Sequence, residues 1–326
     1  MTPASDTLFI IGSGFTKAAF PQAPLNADLL RAVVKHGGST LARYHERYRT
    51  DDIERLLTQL DLDAIESIQN REDRVKINRE ISSYFSKFRF SELQQPAPGW
   101  LHTFALNVLK PNDAIITLNY DCFLEGALDN YEVWTPNGGY AGIVNPNANS
   151  IPVNPKNIMI YKIHGSEHFV ESSVMGDNRT QTAIGFKIDG SIFPKSGPNR
   201  QLGGGAVDPR PYIIAPSFVK IPHVEIADIM LEALDQVETA KNLTIIGCGM
   251  RREDNFLWLL LTRFLNKSFA QRKQLVILGP SSTATWERIS NYWVGNVQRF
   301  ADVVVIPCGI ECSIERLCSA LDNMER

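Results

Sequence analysis

Charge of one sign is missing from this chain: 33 basic residues stand against 36 acidic ones, a net charge of −3. That balance argues against a general grip on a polyanion, so no direct nucleic-acid binding is expected. Long hydrophobic runs are missing too. The longest nearly apolar stretches, such as Leu257–Leu261, are far too short to cross a bilayer, and no membrane partner is expected. The N-terminus has no basic segment followed by a long apolar run, which argues against a signal peptide. Cysteine is scarce, with five in all and none spaced C-x-x-C. The odd count and the apolar surroundings of Cys122, Cys248, Cys308, Cys312 and Cys318 predict reduced thiols in a cytoplasmic protein. Cys308, Cys312 and Cys318 fall near one helix, where core-facing thiols are expected rather than metal ligands. No metal is expected.

Core-forming residues are plentiful. Hydrophobic residues make up 44% of 326, enough for one large α/β domain with insertions. The stretch from Leu8 to Thr16 organises the rest. Leu8-Phe9-Ile10-Ile11 reads as a buried parallel strand, Gly12-Ser13-Gly14 as a turn, and Thr16-Lys17-Ala18-Ala19-Phe20 as an opening helix. Gly12 permits a tight turn. Gly14 lets backbone N–H groups approach a phosphate with no Cβ in the way. The third glycine of G-x-G-x-x-G is absent, since position 17 is Lys, and no P-loop pattern stands there. A surface turn without any ligand remains the bland reading.

Further along, Leu25–Val34 reads as a helix stopped by His36-Gly37-Gly38. Residues 40–94 read as a helical insertion. It contains a capped start at Asp51-Asp52-Ile53-Glu54, with Glu54 placed to complete a capping box. Strands are predicted at 113–117, 158–163, 212–214, 243–246, 274–278 and 303–306, with helices between them. Residues 171–211 are rich in Gly, Asn, Asp and Pro and read as a long flexible loop, most mobile at Gly203–Gly205. The alternation predicts a single domain over 1–326: a doubly wound, Rossmann-like parallel α/β sheet with a helical insertion and a long loop insertion.

Ligands of such sheets lie beyond the carboxyl ends of the strands. Those ends carry Gly12-Ser13-Gly14, Asn119-Tyr120-Asp121, His164-Gly165-Ser166, Gly247-Cys248-Gly249 and Gly279-Pro280. Each polar member has a plain structural alternative. Asp121 can N-cap the helix from Cys122, Asn119 can close its own turn, and His164 can be a core histidine.

Five segments in order resemble the sirtuin superfamily: Gly12-Ser13-Gly14-Phe15-Thr16, Thr117-Leu118-Asn119-Tyr120-Asp121, Lys162-Ile163-His164-Gly165-Ser166, Ile214-Ala215-Pro216-Ser217 and Ile246-Gly247-Cys248-Gly249. The T-x-N-Y-D and H-G-S forms are similar to the bacterial sirtuin-like branch, many members of which are NAD-consuming effectors in phage defence. The resemblance implies that Asn119 and His164 are catalytic and that Gly12, Ser13, Gly14 and Phe15 hold the pyrophosphate. It further implies Asp121 on the nicotinamide side, Gly247 and Cys248 at a ribose, and Gly279 and Gly309 toward the adenosine. Two departures matter: the paired cysteines of the zinc module are absent, and the segment expected after the first glycine turn is missing. Acetyl-lysine deacylation is thereby weakened more than cleavage of NAD. The expected activity is hydrolysis of NAD to nicotinamide and ADP-ribose, with NAD as substrate. An NAD-dependent deacylase or ADP-ribosyltransferase, and a nucleotide-sensing module without turnover, stay open. A partner protein or a homo-oligomer is expected to control the activity.

Overall fold

A run that is apolar at every position suits a strand covered on both faces. In the computed structural model, Leu8, Phe9, Ile10 and Ile11 are all fully buried. The structure describes residues 6–94, 96–141, 158–176, 179–188, 191–193, 210–218, 222, 224–266, 273–293 and 297–322. The first strand, β1 (Thr7–Ile11), leads directly into α1 (Ser13–Ala19). Next come α2 (Asn26–Lys35), α3 (Ser39–Tyr48), α4 (Ile53–Glu66) and α5 (Ile68–Phe85). α6 (Gly99–Thr103) runs on as a π turn over Phe104–Val108 to β2 (Ala114–Thr117). α7 (Phe123–Asn130) and α8 (Pro136–Gly139) precede β3 (Met159–Lys162). Four strands follow: β4 (Gly165–Gly176), β5 (Arg179–Ile188), β6 (Ser191–Phe193) and β7 (Arg210–Ile213). The last described elements are α9 (Val224–Thr239), β8 (Asn242–Ile246), α10 (Asn255–Asn266), β9 (Lys273–Leu278), α11 (Ser282–Tyr292), β10 (Ala301–Ile306) and α12 (Ile310–Asp322).

Six strands form a parallel sheet in the order β10-β9-β8-β1-β2-β3. The first three strands build outward in one direction and the last three in the other. This is the doubly wound, Rossmann-like α/β fold, and its order reverses between β1 and β8, where a crevice opens.

The helices α3, α4 and α5 stand between the first two strands of the sheet. They bury Leu56, Leu57, Leu60, Ile77 and Ile81 and are laced by Arg74–Asp61 (2.6 Å) and Arg43–Asp73 (2.5 Å) ion pairs. Asp52 caps α4, accepting from the N–H groups of Glu54 (2.9 Å) and Arg55 (3.3 Å). The expected capping box does not form. Glu54 sits one position too early in the helix, and its carboxylate takes Asn26 Nδ2 instead, at 2.6 Å.

Across the expected loop, β4 (Gly165–Gly176), β5 (Arg179–Ile188), β6 (Ser191–Phe193) and β7 (Arg210–Ile213) correct the sequence expectation. They form a four-stranded antiparallel sheet in the order β6-β5-β4-β7. The strand expected at 212–214 therefore belongs to this second sheet, not to the parallel one. Turn-forming residues around Asp177-Asn178 dominated the composition and hid two strands on either side of a hairpin signal. Gly203–Gly205, the expected mobile centre, lies outside the described residues.

Cysteine chemistry also differs from expectation. Cys308 and Cys312 are joined as a disulfide across the start of α12, with Cα atoms 6.5 Å apart, while Cys122, Cys248 and Cys318 are free. Four residues apart at a helix start, two thiols meet on the same side, a juxtaposition that the odd cysteine count concealed.

Phe15 is a core residue. Its ring is fully buried and packs edge-on against Trp100 (5.2 Å) and Phe104 (5.1 Å) and beside Phe123 (5.9 Å). Phe15→Ala should lower stability by about 3–5 kcal/mol, read as a lowered urea midpoint. A variant as stable as the wild type would show that the ring does not anchor α1.

Candidate active site

The crevice between β1 and β8 is built backbone against backbone. Gly12 N–H donates to Ile246 O (3.0 Å), and Gly14 N–H donates to Gly247 O (3.0 Å). A Cβ on Gly12 would lie 2.6 Å from Gly247 O, and one on Gly14 would lie 2.7 Å from Gly247 Cα. Gly247 itself has φ +59°, and its own Cβ would stand 2.7 Å from Phe15 N. Glycine is therefore required on both sides of this contact. The Gly14 N–H, expected to face a phosphate, is committed to Gly247. The Phe15 N–H is committed to Gly12 O at 3.0 Å. Gly14 shapes the cleft from behind, while Gly12, Ser13, Gly247 and Cys248 line it.

Asn119 ties the end of β2 to this turn. Its Nδ2 donates to Gly12 O (3.1 Å) and to Thr16 Oγ1 (3.2 Å), and its N–H donates to Thr117 Oγ1 (3.1 Å). Thr16 in turn donates to the Asp121 carboxylate, 3.0 and 3.1 Å from its two oxygens. Asp121 also accepts from Phe123 N–H at 3.2 Å; the N-cap of α7 is Cys122, so Asp121 supports the helix start from one position before the cap while it lines the cleft. Beneath the turn lies the fully buried Lys162. Its ammonium donates to Asp121 O (2.7 Å) and to Glu125 Oε1 (2.6 Å). Burial is the largest influence and works against that charge, but Glu125, Cys122 and Asp121 together outweigh it and keep the ammonium's pKa above its ordinary value.

His164 follows β3 and is brought to the same cleft as Asn119. Its ring lies nearly parallel to that of Tyr120, with centroids 6.5 Å apart. The adjoining segment is pinned on both sides. Ile214 N–H donates to His164 O (2.8 Å), and Tyr120 Oη donates to Ile214 O (2.8 Å).

Several residues of the cleft escaped the sequence reading. Asn26 and Glu54 come from α2 and α4, and Arg251 and Asp254 from the segment after β8. Arg251 lies 3.6 Å from Glu54 and is the one Lys or Arg among the described lining residues. Reading two residues past Gly249 would have found Arg251. No local signal marks Glu54, which reaches the cleft only because α4 packs there. Two expected residues stand elsewhere. Gly279 stacks behind Gly247, where an added Cβ would meet Gly247 at 3.6 Å. Gly309 lies at the start of α12, its carbonyl accepting from Ser313 Oγ (2.6 Å). Neither lines the cleft.

Burial raises the Asp121 carboxyl from 3.8 to about 6, against the opposing charge of Lys162. The folded protein therefore holds this proton more tightly than the unfolded chain does. Stability from this group is fully present below the unfolded value of 3.8 and is lost as pH rises through about 6. The unfolding free energy of Asp121→Asn, from urea titrations, should fall less between pH 3 and pH 7 than that of the wild type, by up to about 3 kcal/mol. Identical slopes in the two proteins would place the Asp121 proton in solvent.

Two of the cysteines are bonded to each other, and Cys122, Cys248 and Cys318 sit at the N-cap of α7, after β8 and on α12. No helix among the described residues is long and apolar enough to cross a membrane. No curated protein sequence matches the chain. Among solved structures, a Sir2 homologue mutant in complex with ADP ribose is 15% identical, with 98% of this chain and 94% of that chain covered and a TM-score of 0.47. A Sir2 enzyme studied for mechanism and regulation is 10% identical, covers 98% and 94%, and has a TM-score of 0.46. Sir2Tm bound to a propionylated peptide is 12% identical, covers 98% and 94%, and has a TM-score of 0.41. The family model for the SIR2-like domain matches residues 113–295, which run from the start of β2 through α11 and hold Asn119, Asp121, His164 and Gly247. With more than half of its length matched, the chain belongs to the SIR2-like domain family.

Proposed function

We propose that the cleft binds NAD and hydrolyses it to nicotinamide and ADP-ribose, and that this consumption serves antiphage defence. The observation that carries the chemistry is the convergence of Asn119 and His164 on one cleft beside the Gly12–Gly247 contact. The defence role rests on the resemblance of the T-x-N-Y-D and H-G-S segments to the bacterial sirtuin-like branch.

Cleavage of the C1′–N bond moves positive charge from the pyridinium ring to the ribose. An enclosed cleft disfavours the charged ring and favours neutral nicotinamide as the leaving group. Both Nδ2 contacts of Asn119 go to protein, to Gly12 O and Thr16 Oγ1. Its Oδ1 is the end turned over to a ribose hydroxyl or to the attacking water. His164 takes the proton, from the water or from a ribose hydroxyl, through the basic nitrogen of a neutral imidazole. The carboxylates of Asp121, Glu54 and Asp254 line the same cleft and favour a developing cation. Arg251 offers the diphosphate a guanidinium at the rim.

The experiment is incubation of the full chain with NAD, with nicotinamide release followed by chromatography. Acyl transfer is tested by adding an acylated peptide. Asn119→Ala and His164→Ala should each lower release at least about 100-fold, with melting temperatures near the wild type's. Arg251→Ala should raise KM about tenfold and leave kcat nearly intact. NAD bound without turnover by the wild type would reduce the protein to a sensor. Full activity in either of the first two variants would remove that residue from the mechanism.

A further inference from the structure

The turn that carries Asn119 and Asp121 to the cleft ends in Cys122, which lines a second cavity of about 920 Å³. The two cavities share no lining residue. In the second, Cys122 Sγ lies 2.7 Å from His168 Nδ1. The Glu167 carboxylate completes a set whose donor atoms all lie within 4.8 Å of one another. Adjacent residues of a regular strand send their side chains to opposite faces. Glu167 and His168 converge because the pairing of β4 with β7 shifts register between Gly165 and Val170, and such irregularities re-aim side chains.

The histidine is oriented from behind. His168 Nε2 is 2.8 Å from Tyr140 Oη, and Tyr140 donates its proton to Glu125 Oε1 at 3.2 Å. With the tyrosyl proton directed to Glu125, Nε2 carries the ring proton and Nδ1 presents its lone pair toward Cys122. A carboxylate-supported histidine of this kind is the usual backing of a metal ligand. Arg89 holds Glu167 through contacts of 3.1 and 3.2 Å and leaves the carboxylate further lone pairs.

We propose that Cys122, Glu167 and His168 form a binding site for a divalent cation of the zinc class. One thiolate, one imidazole and one carboxylate suit zinc and leave a fourth position open toward the cavity. A thiol acting as a nucleophile would need a positive neighbourhood. Cys122 instead has Glu125 and Glu167 beside it, and the nearby ammonium of Lys162 is already paired with Glu125 at 2.6 Å. That surrounding field favours a cation over an activated thiolate. On binding, the S–H bond breaks, its proton goes to water, and a metal–sulfur bond forms. The 2.7 Å contact between sulfur and nitrogen opens to about 3.5 Å to admit the ion between them.

The inference does not depend on NAD turnover. Full-length protein, stripped with chelator and handled without oxygen, is titrated with Co²⁺ and followed by its thiolate-to-cobalt charge-transfer absorption. Zn²⁺ is then added in competition. The wild type should take up one equivalent, show the band, and lose it to Zn²⁺. Cys122→Ser, which keeps the side chain's size, should lose the band. His168→Gln and Glu167→Gln should each weaken Zn²⁺ at least about tenfold, measured by calorimetry on protein of unchanged circular dichroism. Absence of the band in the wild type at saturating Co²⁺ would overturn the site. So would one equivalent with an unchanged band in Cys122→Ser, which would assign the metal to Cys248 or Cys318.

Discussion

The contact of Gly12 and Gly14 with Gly247 is the constraint on which the rest depends. Two strand ends meet there without side chains, so β1 and β8 stay in register to their carboxyl ends and the crevice opens directly above them. Any Cβ at these positions would push apart the two halves of the sheet. The same contact consumes the Gly14 N–H, so the glycines act first as a spacer between two strands. The floor of the cleft follows from that spacing.

Around this spacer the polar groups form a connected layer. Asn119 joins β2 to the Gly12 turn, Thr16 joins α1 to Asp121, and Lys162 joins β3 to the Asp121 carbonyl and Glu125. Buried polar groups of this kind are stable only when each has partners, and their partners come from separate elements. The turn from Asn119 to Cys122 consequently has two faces. Asn119 and Asp121 serve the cleft, and Cys122 serves the second cavity. Lys162 bridges Asp121 of the cleft and Glu125 of the second cavity, so a change of charge in one cavity is felt electrostatically in the other.

Legibility differed sharply between the two sheets. The strands of the parallel sheet stood out because burial on both faces demands apolar runs, and Leu8–Ile11, Leu243–Ile246 and Leu275–Leu278 are such runs. The antiparallel sheet was misread because β4 and β5 mix Ser, Thr, Glu and Gly with isolated apolar residues, which resembles loop composition. Among site residues, those next to a strand end were visible, since the fold puts strand ends at the crevice. Phe15 was misassigned because adjacency to the glycine turn does not say which side of α1 faces the core. Glu54 was invisible because its place depends on how α4 packs. The Cys122–Glu167–His168 set was hidden by more than forty residues of separation and by a register shift that no local pattern encodes.

Periodicity and backbone permissiveness are local properties, so the doubly wound sheet, its strand ends, the glycine turn and the place of Asn119 and His164 at strand ends were legible without the fold. Tertiary structure alone decided which N–H groups were already spent and which helix of the insertion supplied Glu54. It also decided which neighbours surrounded Cys122 and how strongly burial raised the Asp121 carboxyl. Those outcomes depend on distances between residues far apart in the chain. Distance and desolvation, unlike periodicity, exist only once the chain has packed.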